Sequence, residues 1–125
     1  MEMELIYSYS RSQAIEDGTL VDVSPTGREA GIRFPVALTQ AVWAKYVEIP
    51  EGVACQDEEG RLWDILYMFA QAAKRTPGAE LKYTLLVRNS KRQKLDRRDM
   101  VTLKAVIGPG DTAAPVITIM LPEED

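Results

Sequence analysis

The stretch that decides the fold begins with LKYTLLVR (residues 81–88), where apolar and polar side chains largely alternate. The same alternation returns in VTLKAVI (residues 101–107) and in the β-branched run VITIML (residues 116–121). A period of two predicts strands that bury one face and leave the other wetter. Consecutive strands with no helix between them pair antiparallel, so we predict an antiparallel sheet of at least three C-terminal strands.

Two helices upstream are expected to cover the apolar face of this sheet. The first is predicted over residues 35–47, because Phe34-Pro35 opens an amphipathic segment that a second proline ends. The stronger helix is predicted over residues 58–76, where apolar residues recur at i, i+3, i+4 and i+7. Helices followed by a strand meander indicate an α+β class. We therefore predict a single two-layer α+β domain over residues 1–125.

Weaker signals occupy the N-terminal third of the chain. Ser10 and Gln13 have the spacing of a capping box, which marks a helix start. Residues 20–23 are predicted to form a short buried strand or extended segment, and residues 5–7 a short edge strand or a tethered tail. The segments 1–10 and 122–125 are expected to fray.

The composition argues against catalysis. The 125 residues carry a net charge of −4 and include no histidine, which removes the commonest general base and most zinc sites. Cys55 precedes three acidic residues, whose negative charge makes a thiol a weaker nucleophile. We therefore expect no enzymatic activity, no cofactor and no metal site. A single cysteine fits a reducing cytoplasm, and no apolar run is long enough to span a membrane.

Positive charge is concentrated between two of the predicted strands. Residues 82–104 contain eight basic and two acidic side chains, so this segment is +6 and the rest of the chain is −10. Residues 89–99 form the centre of this basic loop, which could contact several phosphates of a nucleic acid. No aromatic residue lies between Arg88 and Arg98 to stack on bases, and the alternative is a soluble hairpin tip. The candidate nucleic-acid contacts are Arg88, Lys91, Arg92, Lys94, Arg97 and Arg98.

Three aromatic side chains point to a different surface. Trp63 and Tyr67 are four residues apart on the predicted 58–76 helix, so they share a flank beside its apolar stripe. Together with Trp43 they are candidate protein-binding residues, because tryptophan and tyrosine are enriched in interface hot spots. The alternative is that these aromatics only widen the core.

Several stretches resemble a small bacterial family associated with plasmids, prophages and integrated mobile elements. They are IEDGTLVDV (residues 15–23), FPVALT (residues 34–39) with Trp43, GRLWD (residues 60–64) and the C-terminal segment 101–125. The family has no assigned activity, so the resemblance implies a setting and no site residues. That setting is an accessory protein of a mobile element in the bacterial cytoplasm. Residues 91–99 match the family least, which leaves the basic loop without family support.

The favoured hypothesis is therefore a small, acidic, non-enzymatic accessory protein that acts through contacts with another protein. Nucleic-acid binding through residues 88–98 is the alternative, and no membrane association is expected. The identity of the partner, the oligomeric state and the order of the strands stay open at this point.

Overall fold

The computed structural model describes residues 9–125, which form a five-stranded sheet with helices. The strands are β1 (Leu20–Asp22), β2 (Val36–Thr39), β3 (Glu80–Leu86), β4 (Met100–Pro109) and β5 (Pro115–Met120). The helices are α1 (Arg11–Asp17), α2 (Ser24–Glu29), α3 (Gln40–Val42), which continues as a π-helical turn (Trp43–Val47), and α4 (Glu58–Arg75). A 3₁₀ turn (Arg97–Asp99) precedes β4. The α+β class is confirmed.

The strand order is β1-β2-β5-β4-β3. The three C-terminal strands pair antiparallel as predicted, with β4 between β3 and β5. The sheet as a whole is mixed, because β2 pairs parallel with β5 and antiparallel with β1. The short strand predicted at residues 20–23 is β1, which forms one edge of the sheet and is half-buried at Leu20 and Val21 where a buried strand was expected.

The helix predicted over residues 35–47 is wrong in its first half. Residues 36–39 form β2, and Val36, Ala37 and Leu38 are fully buried because this strand has neighbours on both sides and packing on both faces. A strand buried on both faces is a continuous apolar run, which periodicity cannot distinguish from a helix. The helix begins at Gln40, where the Thr39 hydroxyl accepts a hydrogen bond from the Val42 amide.

The core lies between α4 and one face of the sheet. Helix α4 begins where Asp57 accepts a hydrogen bond from the Gly60 amide, and its predicted apolar stripe is buried over Leu62, Ile65, Leu66 and Phe69. Phe69 packs edge-on against Tyr83 of β3, with ring centroids 6.0 Å apart. The Tyr83 hydroxyl donates to the Ile65 carbonyl at 3.0 Å, and burial raises the pKa of this phenol.

The opposite face of the sheet carries α1, so the domain has a partial third layer. The Ser10–Gln13 capping box forms, and Asp111 accepts hydrogen bonds from the backbone amides of Arg11 and Ser12. The Arg11 guanidinium donates to the Thr118 hydroxyl of β5, which points away from the core. This second face is covered only in part, because Lys82, Thr84 and Leu86 of β3 are exposed on it.

Close approach between α2 and β2 depends on Gly27. A Cβ atom at this position would lie 2.6 Å from the Val36 Cγ1 atom, so any side chain there would collide with a buried, branched neighbour. The Ser24 hydroxyl reinforces the contact, because it donates to Asp22 at 2.6 Å and accepts from the Val36 amide at 3.1 Å. This contact holds the loop after α2 against the sheet.

The C-terminal end of the chain is held by hydrogen bonds, and most of the N-terminal end lies outside the described residues. The predicted edge strand at residues 5–7, and most of the segment 1–10 that was expected to fray, lie outside the described residues. At the other end, Glu124 accepts hydrogen bonds from the Leu121 amide at 2.7 Å and from the Thr39 hydroxyl at 2.8 Å. Residues 121–124 are thus tied to the end of β2.

Candidate functional site

The flank of α4 that faces away from the core carries a pair of stacked aromatic rings. Trp63 and Tyr67 lie one helical turn apart, with centroids 5.9 Å apart and planes at 20°. Trp63 is 37% exposed and Tyr67 is 43% exposed. The rings therefore hold each other in place while a large part of each remains open to contact.

The same flank continues towards the C-terminal end of α4. Residues 63, 67, 70 and 74 follow the i, i+4, i+7, i+11 spacing, so the exposed Lys74 and Ala70, which is buried at the edge of the core, lie in one row with the two aromatic residues. We call this row the aromatic flank. Beside Ala70 and Lys74 the surface opens into a cleft of about 290 Å³ between α4 and the loop at residues 30–34. Ala70 and Lys74 line this cleft, whereas Trp63 and Tyr67 do not.

Trp43 lies apart from this pair. It sits at the start of the π-helical turn, is half-buried and packs against the core. Within residues 9–125 the stacked and edge-on aromatic pairs join Trp63 to Tyr67 and Phe69 to Tyr83, and Trp43 takes part in neither. Of the three predicted protein-binding residues, the structure therefore brings two together.

Three of the six candidate cations of the basic loop form contacts within the loop itself. The Arg88 guanidinium donates to the backbone carbonyls of Arg92 and Gln93. Arg92 forms an ion pair with the buried Asp99, and the Arg98 guanidinium pairs with Asp96 at 2.7 Å. These arginines therefore fold the loop onto itself.

The other three candidate cations of the loop take no part in these internal contacts. Lys91, Lys94 and Arg97 are exposed and form no ion pair within residues 9–125. Lys91 packs along the backbone of Gly52, next to a cleft of about 640 Å³ that Arg88 and Arg92 also line. These three side chains remain available to an anionic partner.

The lowered pKa values of two carboxyl groups in the basic loop predict that the conformation of this loop is sensitive to acid. The hydrogen bond from Arg98 lowers the pKa of Asp96 to about 2, and the hydrogen bond from Arg92 lowers the pKa of Asp99. A carboxyl whose folded pKa lies below its ordinary value of about 4 stabilises the fold above that value and stops doing so as it protonates. We expect the loop conformation to loosen as the pH falls from about 4 to about 2.

Carboxyl chemical shifts followed by NMR between neutral and acidic pH would test this expectation. The Asp96 carboxyl should titrate near pH 2, and backbone amide shifts of residues 88–99 should follow it. In the Asp96→Asn variant the amide transition should lose this component. A midpoint for Asp96 near the ordinary value of about 4 would show that the pair with Arg98 does not form in solution.

Arg61 holds the base of the basic loop, and the sequence analysis did not identify it. Its side chain is 5% exposed, and burial lowers its pKa. The guanidinium donates to the carbonyls of Tyr46 at 3.0 Å and Val47 at 3.1 Å, at the end of the π-helical turn. Its remaining acceptors are the Glu48 and Arg88 carbonyls and the side-chain oxygens of Asn89 and Gln56.

Carbonyl oxygens at a helix end carry partial negative charge, so Arg61 is neutralised by dipoles in place of a carboxylate. Asn89 completes the junction, because its amide donates to the Lys45 carbonyl at 2.8 Å. The sequence contains a signal for this buried role of Arg61. Arg61 falls on the core-facing side of α4, four residues before Ile65, where an arginine needs several acceptors.

Two aspartates outside the basic loop have structural partners, and a third has a raised pKa. Asp22 accepts a hydrogen bond from Ser24, and Asp111 caps α1. Burial raises the pKa of Asp64, which lies near Arg61 and the end of β3. Within residues 9–125 no group of three or more histidine, cysteine, aspartate or glutamate side chains is arranged to hold a metal ion.

The sequence matches a protein family over residues 1–125, described as a family of unknown function (DUF6573). The chain belongs to this family. No curated protein and no solved structure matches it. None of the described helices is long and apolar enough to cross a membrane. Membership in DUF6573 supplies no activity or ligand, so the role of the chain has to be inferred from its surface.

Proposed function

We propose that this DUF6573 chain is a non-enzymatic binding protein whose aromatic flank contacts a protein partner. The observation that carries the proposal is the stacked and exposed Trp63–Tyr67 pair on α4. The setting that we propose is the bacterial cytoplasm, where the chain serves a mobile element as an accessory protein. The family resemblance and the single cysteine support that setting.

Stacking makes the two rings suitable as a binding anchor. Trp63 and Tyr67 hold each other in one geometry on a rigid helix. The two rings therefore lose little further side-chain freedom when a partner covers them. Large aromatic side chains dominate the energetics of protein interfaces.

Nucleic-acid binding through the basic loop is the second candidate function. The exposed cations Lys91, Lys94 and Arg97 favour it, because each could release a counterion from a phosphate. The internal contacts of Arg88, Arg92 and Arg98 weaken it, since they engage half of the predicted contact set. A protein partner on α4 is therefore the better supported function.

Capture of binding partners from a bacterial lysate separates the two functions. Tagged wild-type chain should recover a protein that survives nuclease treatment, and the Trp63→Ala/Tyr67→Ala variant should not. Met68→Ala is the matched control, because Met68 is 38% exposed on the other side of the same helix.

Recovery of nucleic acid that is lost at higher salt would favour the basic loop instead. In that case a variant with Lys91, Lys94 and Arg97 all changed to alanine should recover no nucleic acid. If the wild-type chain and the aromatic variant recover the same nuclease-resistant proteins, the aromatic flank is not the binding surface.

A further inference from the structure

The cleft beside the C-terminal half of α4 has an apolar floor. Phe69 and Ile117 of the core form its base, and the half-buried Ile107 of β4 borders it. Phe34, 45% exposed, stands at its rim. On the α4 side the lining residues include Ala70 and Ala73, whose small side chains leave the space open.

Two cations border this apolar space. Arg33 and Lys74 are exposed members of its lining, and within residues 9–125 neither forms an ion pair. None of the described residues that line the cleft is an aspartate or a glutamate. The charge at the cleft is therefore positive, although the chain as a whole is acidic.

We propose that this cleft binds a small amphipathic carboxylate, meaning an apolar chain or ring that ends in one carboxylate. The apolar part lies against Phe69, Ile107 and Ile117, and the carboxylate lies between Arg33 and Lys74. A volume of about 290 Å³ is at the lower end of the range for ligand sites, which limits the ligand to the size of a medium-chain acid.

Charge complementarity selects the carboxylate over other head groups. Lys74 and Arg33 add two cations to the lining, and their combined charge exceeds the partial negative charge at the C-terminal end of α4. A ligand amine would meet two positive side chains, and an alcohol would gain no ion pair. The ligand site is separate from the proposed contact at Trp63 and Tyr67, and it can be tested without a protein partner.

NMR titration of the isotopically labelled chain with decanoate tests the proposal. Decanol and decyltrimethylammonium have the same chain length with a neutral and a cationic head group. Decanoate should shift the amides of the residues that line the cleft, and should bind about three- to tenfold more tightly than decanol. Decyltrimethylammonium should bind most weakly. Equal affinities for the three probes, or shifts that map outside the cleft, would overturn the proposal.

Matched variants show whether the two cations are responsible. Changing Arg33 and Lys74 to glutamine should remove the preference for decanoate while decanol binding is kept. Changing Arg28 and Arg75 to glutamine removes two exposed cations outside the lining, and should leave the preference intact. A preference that survives the first pair of changes would contradict the site. Ala73→Leu should weaken both ligands by filling the cleft.

Discussion

Replacing Arg61 with alanine is expected to lower the free energy of unfolding by about 2–4 kcal/mol, because buried acceptors left without a donor cost about 1–3 kcal/mol each. The buried guanidinium donates to four backbone carbonyls and to the Asn89 side chain. Without it, these acceptors would be left in a poorly hydrated junction with no donor to satisfy them. Because domains of this size are stable by about 5–15 kcal/mol, this loss is a large part of the total.

Urea denaturation followed by circular dichroism measures the effect. Arg61→Lys should recover only part of the stability, because one ammonium cannot reach acceptors spread over a planar fork. Arg75→Ala on the exposed end of the same helix is the control, and it should change the stability by less than about 0.5 kcal/mol. A loss below about 1 kcal/mol for Arg61→Ala would show that water replaces the arginine at the junction.

Changing Trp63 and Tyr67 together to alanine is expected to weaken partner binding by about 30- to 1,000-fold. This range corresponds to about 2–4 kcal/mol, the loss found when a central aromatic anchor is truncated. The fold should survive, because both side chains lie outside the buried stripe of α4 and much of each ring is exposed.

Isothermal titration calorimetry with the purified partner measures this change. Met68→Ala, with nearly the same exposure, should bind within about twofold of the wild-type chain, as surface truncations outside a hot spot do. If the single Met68 change and the double aromatic change weaken binding equally, the partner does not recognise the aromatic flank.

Elements with one buried face could be predicted from the sequence. Strands β3, β4 and β5 repeat apolar residues with the period of a strand, and helix α4 repeats them with the period of a helix. The type and the position of these four elements could therefore be predicted from the sequence. Strand β2 could not, because a strand buried on both faces has no period to detect. Its parallel pairing with β5 also joins residues about 80 positions apart, which local patterns do not encode.

The candidate site, like the fold, could be predicted only where local spacing in the sequence determines it. The Trp63–Tyr67 pair follows from helical spacing alone, and the structure places the two rings in contact. The ion pairs inside the basic loop depend on a turn that brings Asp96 and Asp99 back to the arginines, and charge counting gives no sign of it. The cleft was missed because the loop at residues 30–34 meets α4 only after folding.

The most direct test of the proposed function is oxidative footprinting of the chain with and without its captured partner. Mass spectrometry then reports how strongly the side chains of Trp63, Tyr67 and Met68 react in each state. The proposal predicts that the partner protects Trp63 and Tyr67 while Met68, exposed on the other side of α4, stays reactive. Unchanged oxidation of Trp63 and Tyr67 in the complex would contradict it.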